Sequence, residues 1–226
     1  MQWKQIKHEK AKMEMIMKRD SIIFDLDGTL WDSSRQIAKS WSQTLREKFP
    51  DIHKEITQKD IMGIMGMVTE DIARTLFPDL EIERAITVTN TICEEECDYL
   101  RKTGGTLYDG VEEVLETLSL QYPLFIVSNC QCGYIECFLE HHKLDKYFKG
   151  FLCSGQTGKR KGENIKRLME QYGLKKSIYV GDTQMDYEAA KQAGIEFLYA
   201  AYGFGTISDP VPSILSIREL LNHMQE

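Results

Sequence analysis

No apolar run approaches the length of a membrane-spanning helix, so none is expected. The opening residues, MQWKQIKHEKAKMEMIMKRD, are basic and Met-rich but lack the continuous apolar core of a signal peptide. Residues 1–19 are expected to form a tail or short helix, and Met17 is a second candidate start. Basic charge is in deficit: 28 Lys and Arg against 35 Asp and Glu leave a net charge of -7. That argues against nucleic acid or an anionic membrane as partner, because both call for a basic footprint. Zinc-site spacing is also missing. Cys93-x3-Cys97 and Cys130-x-Cys132 bring no second Cys or His pair, and Cys137 and Cys153 stand apart. Without an export signal, reduced thiols and a cytoplasmic protein are expected. Internal repeats and low-complexity tracts are absent as well.

What is present is an alternation of strand and helix patterns. Apolar stretches at SIIF, YPLFIVSN, GFLCS, SIYVGD and IEFLYAAYG read as strands. Between them, TLYDGVEEVLETL, GYIECFLEHHKL, ENIKRLMEQYG and MDYEAAKQAG carry helical spacing, and SILSIRELLNHM closes as a helix. Asp109, with Glu112 three residues on, is a candidate N-cap; Gly173 and Gly194 are helix terminators. Strands apolar along their whole length predict an α/β fold, a Rossmann-like parallel sheet with helices on both faces. The rhythm breaks after the first strand, where RQIAKSWSQTLREKF, TEDIARTLF and IERAITVTNTICEEECDYLRK are helical only. The expected organisation is a core of residues 20–32 and 104–226 with an all-helical cap of residues 33–103.

Ligands of open parallel sheets bind beyond the carboxyl ends of the strands. The first strand runs into Asp25-Leu26-Asp27-Gly28-Thr29, and the second ends in Ser128-Asn129. The third leads through GQTGKRKGEN, delivering Lys159 or Lys161 near a helix start. The fourth ends in Gly181-Asp182-Thr183, with Asp186 four residues on. Polar chemistry thus gathers on one edge. Asp25 and Asp27 share a side if the strand stays extended, and Gly28 permits a sharp turn. Converging carboxylates need a cation, and hard oxygen ligands suit Mg2+. One Asp can then attack phosphorus while its neighbour shuttles a proton, with the lysine offsetting charge.

In order and type, DLDGTLWDS, VSN, a Lys before ENI, and GDTQMD resemble the four motifs of the haloacid dehalogenase-like hydrolase superfamily, most closely its phosphoglycolate phosphatase-type branch. The resemblance spans about residues 20–222. It implies Asp25 as nucleophile, Asp27 as general acid and base, and Lys161 as the bridging lysine. It also implies Mg2+ held by Asp25, the backbone carbonyl of Asp27, and Asp182, with Asp186 in support. Thr29, Ser128 and Asn129 are the candidate substrate contacts, and the helical insert is the expected mobile cap. Two departures stand out: Lys161-Gly162 replaces the usual Lys-Pro, leaving Lys159 as an alternative, and the bulky Trp31 follows DGTL.

Duller roles exist for each residue. A lone Asp-x-Asp, a Ser-Asn pair or an Asp before a helix is ordinary turn and capping chemistry. Met62, Met65 and Met67 with Gly63 and Gly66 suggest a flexible segment that packs or hinges, with a loop dipping into the site as the alternative. His141 and His142 end a helix, where cations suit the dipole, and Glu94-Glu95-Glu96 reads as a solvated face. The expected function is a Mg2+-dependent phosphatase acting on a small phosphorylated metabolite, phosphoglycolate-like or a sugar phosphate. A phosphomutase, a pyrophosphatase and a non-catalytic phospho-ligand-binding protein are the alternatives. Monomer and homodimer both stay open.

Overall fold

The computed structural model describes residues 19–224; the expected N-terminal tail or helix lies almost wholly outside them. Six strands form one sheet in which every pairing is parallel: β1 (Ser21–Phe24), β4 (Leu124–Ser128), β5 (Phe148–Cys153), β6 (Ser177–Gly181), β7 (Glu196–Ala200) and β8 (Ser213–Ile214). Their spatial order is β5-β4-β1-β6-β7-β8. A two-residue ribbon, β2 (Trp31–Asp32) with β3 (Thr106–Leu107), pairs separately. It brackets the helical segment, a feature too short to leave a periodic signal in the sequence.

The alternation of side chains divides the sheet between two apolar clusters. Ile22, Phe24, Leu124, Ile126, Ile178 and Val180 face one cluster; Ile23, Phe125, Val127 and Tyr179 face the other. The first face is covered by α5 (Val111–Ser119) and α6 (Tyr134–His142), the second by α8 (Lys161–Tyr172) and α9 (Gln184–Ala193), with one helical turn, α7 (Ser154–Thr157), between β5 and α8. Burial on both faces is why these strands read as continuous apolar runs. Gly173 and Gly194, at φ 67° and 75°, end α8 and α9 in the left-handed conformation expected of helix terminators.

Residues 34–103 contain helices only: α1 (Ser34–Lys48), α2 (Gln58–Ile64), α3 (Thr69–Leu76) and α4 (Ile82–Thr103). The second of these puts Met62 and Gly63 in a helix where the sequence suggested a flexible segment, while Met65, Gly66 and Met67 form the loop after it and line the cavity beside Asp27, as the alternative reading had it. Thr57 and Asp60 form a reciprocal capping box that starts α2 despite Gly63. Two further corrections concern ends. Gly110, at φ 88°, caps α5, while Asp109 is exposed and faces Arg218. The expected C-terminal helix is instead β8, a 3-10 turn at Ile217–Glu219 and one helical turn, α10 (Leu220–His223). Pairing of Tyr199 and Ala200 with Ser213 and Ile214 outweighs the helical pattern there. Among the described residues no helix is long and apolar enough to cross a membrane. All six cysteines are free.

Candidate active site

Strand β1 lies between β4 and β6, so the chain leaves it first to one side and later to the other. That reversal places a crevice at the carboxyl end of β1. Asp25 follows the strand directly, its N–H donating to the Val180 carbonyl at 2.8 Å. Extension then ends: Leu30 donates back to the Leu26 carbonyl at 2.8 Å, and Gly28 sits at φ 80°. The two carboxylates therefore go to different partners.

Asp25 joins a lysine. Lys161, the first residue of α8 and 2% exposed, places Nζ 2.8 Å from Asp25 Oδ1 and also hydrogen-bonds Asp186 Oδ1. Lys159, the alternative, pairs with Glu163 on the surface at 3.7 Å. Register decides between them: Lys161 begins the helix whose Ile165 and Leu168 face the core. Gly162 stands where the family pattern has proline; a Cβ there would meet the movable end of the Gln192 side chain, Oε1 at 2.3 Å, and the Ala189 carbonyl at 3.2 Å.

Asp186 is fully engaged. Its Oδ2 accepts from the backbone N–H of Thr183 at 2.9 Å and of Asp182 at 3.2 Å, and from the Thr183 hydroxyl at 2.7 Å. Asp182 is different. Its Oδ2 accepts from the Phe204 and Gly205 N–H groups at 2.8 and 3.3 Å, but its Oδ1 is buried with no hydrogen-bond partner. Side-chain oxygens of Asp25, Asp182 and Asp186 lie within 4.8 Å of one another. An orphaned carboxylate oxygen in such a cluster costs free energy unless a cation or proton satisfies it. Burial and the Asp186 carboxylate push Asp25 up to about 7, against the pull of Lys161, and push Asp182 up to about 8. The donor set is all oxygen, which suits Mg2+.

Glycines hold this geometry. A Cβ on Gly28 would lie 2.1 Å from Asp182 Oδ2, and one on Gly203 would lie 2.3 Å from the Asp182 Cβ. Neither position has room for a side chain.

Asp27 belongs to a second set. Its Oδ1 accepts from the Ser33 hydroxyl at 2.5 Å and from the Tyr134 hydroxyl at 2.8 Å. Burial raises its pKa to about 6, and these two hydrogen bonds restrain the rise. Its side chain is outside the three-carboxylate cluster. Ser33 and Tyr134 are functional candidates that sequence reasoning missed. Ser33 follows the first motif, but Tyr134 is distant in sequence and gave no local signal.

Ser128 lines a cavity beside Asp27. The side chain of Asn129 is already committed: Nδ2 donates to the Gly66 carbonyl at 2.8 Å, while Oδ1 accepts from the Lys161 N–H at 2.8 Å and the Ser154 hydroxyl at 2.9 Å. Thr29 Oγ1 is buried without a partner, and the Thr29 carbonyl accepts from the Tyr202 hydroxyl at 2.8 Å.

Trp31, itself a strand residue of the ribbon, is buried against Tyr134, Phe138 and His142. Two other sequence expectations are adjusted here. His142 is held neutral, its pKa lowered to about 4 by burial and by His141, so it is no cation for the helix end. Glu96 is 2% exposed rather than solvated, and it lines the cavity with Trp41 and Gln131. Its spacing from Ile92 and Leu100 was the available clue, since residues four apart share a helix face.

Fold and cluster together define an α/β enzyme core with an acidic, lysine-tethered site at the carboxyl edge of its sheet. The chain belongs to the haloacid dehalogenase-like hydrolase family, whose model matches residues 22–200. A phosphoglycolate phosphatase of Pseudomonas fluorescens is 27% identical over 195 residues, covering 81% of this chain and 70% of that one. Pyrophosphatase PpaX of Listeria innocua is 29% identical over 184 residues, covering 79% and 82%. Among solved structures, a predicted phosphatase from Clostridium acetobutylicum superposes with a TM-score of 0.75 at 26% identity, covering 92% of this chain and 99% of that one.

Proposed function

We propose that this hydrolase is a Mg2+-dependent phosphatase of small phosphate monoesters, working through an aspartyl-phosphate on Asp25. One observation carries the reading: Lys161 bridges Asp25 and Asp186 while Asp182 Oδ1 stays unpaired beside them. Asp25, Asp182 and the Asp27 carbonyl would hold Mg2+, with Asp186 positioning Lys161 and the loop. When bound, the ion would neutralise the carboxylates and the phosphoryl oxygens.

Asp25 attacks phosphorus, forming an O–P bond as the bond to the leaving oxygen breaks. Asp27 gives that oxygen its proton. A water then attacks the aspartyl-phosphate and yields its proton to Asp27, which releases phosphate and restores both acids. The Ser33 and Tyr134 bonds fall on Asp27 Oδ1, leaving Oδ2 as the oxygen for proton exchange. Lys161 keeps Asp25 oriented and offsets developing charge. Ser128 is the side-chain contact for phosphate. Because the Asn129 amide is occupied, its contribution to phosphate would come from the backbone N–H, with the side chain holding Lys161 in place.

Residues 33–103 would act as the cap, closing through the Gly66 loop that Asn129 grips and excluding water. The test is phosphate release from an aryl phosphate with and without Mg2+. Metal-dependent turnover that Asp25→Asn abolishes supports the proposal; turnover that survives the substitution refutes the nucleophile.

A further inference from the structure

The cavity beside Asp27 measures about 50 Å3, room for a leaving group of a few heavy atoms. Helices α1, α2 and α3 and the loop after α2 supply its apolar wall, through Ile37, Ile61, Ile64, Met65, Met67 and Ile72. No Lys or Arg lines it among the described residues. Lys161, the buried cation nearby, is taken up by Asp25 and Asp186. Arg160 pairs with Asp71 at 2.8 Å on the exposed surface.

The ionisable groups in the wall are Asp27, Glu96, Cys93, Cys130 and Tyr134, none of them cationic. Glu96 is built into place. Gln131 Nε2 donates to its Oε1 at 2.8 Å, and Trp41 Nε1 donates to its Oε2. Each carboxyl oxygen keeps a lone pair for a further donor. A leaving group bearing a carboxylate or phosphate would enter this largely apolar pocket with no lining cation to offset its charge.

Resting on the phosphatase reading, we infer that the leaving group is a small alcohol without negative charge that offers a hydrogen-bond donor to Glu96. Hydroxyalkyl and aminoalkyl phosphates meet that description; phosphoglycolate and pyrophosphate do not. Glu96 is thus a specificity residue: its oxygens can accept from a neutral or cationic donor, while the pocket offers an anion no counter-charge.

The experiment compares kcat/KM for hydroxyethyl phosphate, aminoethyl phosphate, phosphoglycolate and pyrophosphate, with an aryl phosphate as reference. Either uncharged or cationic ester is expected to exceed both anionic ones by roughly tenfold or more. The hydroxyl and amino arms show which donor Glu96 prefers. In Glu96→Gln the gap should narrow. Met65→Lys, which adds a cation to the wall, should raise phosphoglycolate relative to hydroxyethyl phosphate even if Glu96→Gln fails to fold. Phosphoglycolate or pyrophosphate matching the uncharged ester in the wild type overturns the inference while leaving the phosphatase reading intact. If no ester, aryl phosphate included, releases phosphate, the phosphatase reading fails instead. Wild-type thermal melts with the same esters and Mg2+ then decide: greater stabilisation by hydroxyethyl phosphate than by phosphoglycolate upholds the pocket chemistry, and the reverse or equality overturns it.

Discussion

Asn129 donates from Nδ2 to the carbonyl of Gly66 at 2.8 Å, joining the end of β4 to the loop that follows α2. The same side chain receives the Lys161 N–H, so one amide links the helical segment to the start of the lysine helix. Asn129→Asp retains the acceptor and loses the donor. Hydrogen exchange should accelerate around Gly66 and stay slow at Lys161. Asn129→Ala should accelerate both and cost about 1–3 kcal/mol for each buried group left unsatisfied. Unchanged exchange at Gly66 in both variants would remove Asn129 as the latch.

Lys161 is the counter-charge for two buried carboxylates. Lys161→Met leaves Asp25 and Asp186 facing each other unpaired, at a cost of about 3–5 kcal/mol in urea unfolding without metal. Added Mg2+ should recover part of that loss by binding the folded state. A variant as stable as the wild type without Mg2+ would show that the carboxylates are already neutralised by protons.

The packing of Gly203 on Asp182 makes a prediction about metal affinity. Gly203→Ala drives a methyl into the Asp182 Cβ and the Gly28 carbonyl, 2.3 and 2.4 Å away. The half-saturating Mg2+ concentration should rise about 10–100-fold. Gly63→Ala is the control: it meets nothing within 4 Å, lies in α2, and should leave Mg2+ dependence unchanged while adding about 0.5–1 kcal/mol of stability.

His142 packs its ring against Trp31 and Phe138, and its folded pKa of about 4 lies below the ordinary 6.5. Between those values the unfolded chain takes up a proton that the folded one refuses. Its contribution to stability is therefore complete above pH 6.5 and declines as pH falls toward 4. Asp27, raised to about 6, acts in the opposite sense, because the folded state binds its proton first. The difference between wild type and His142→Phe isolates the imidazole. Melting temperatures should fall less steeply in the variant from pH 6.5 to 4, and parallel curves would count against a neutral buried ring.

Much of the framework was readable along the chain. Continuous apolar strands follow from burial on both sheet faces, and Gly173 and Gly194 mark helix ends by a backbone conformation other residues resist. The order of acid pair, Ser-Asn, lysine and second acid pair is likewise a property of the chain, and Lys161 could be preferred over Lys159 by helical register. Periodicity is local, so it reports which face of an element is buried and nothing about what lies opposite. Only the tertiary structure sends Asp27 to Ser33 and Tyr134 and commits the Asn129 amide to Gly66. It alone turns Glu96 inward to Trp41 and Gln131, partners 55 and 35 residues away. A carboxylate's role depends on which donors reach it and whether water does, and both are settled by segments that meet only when the chain is folded.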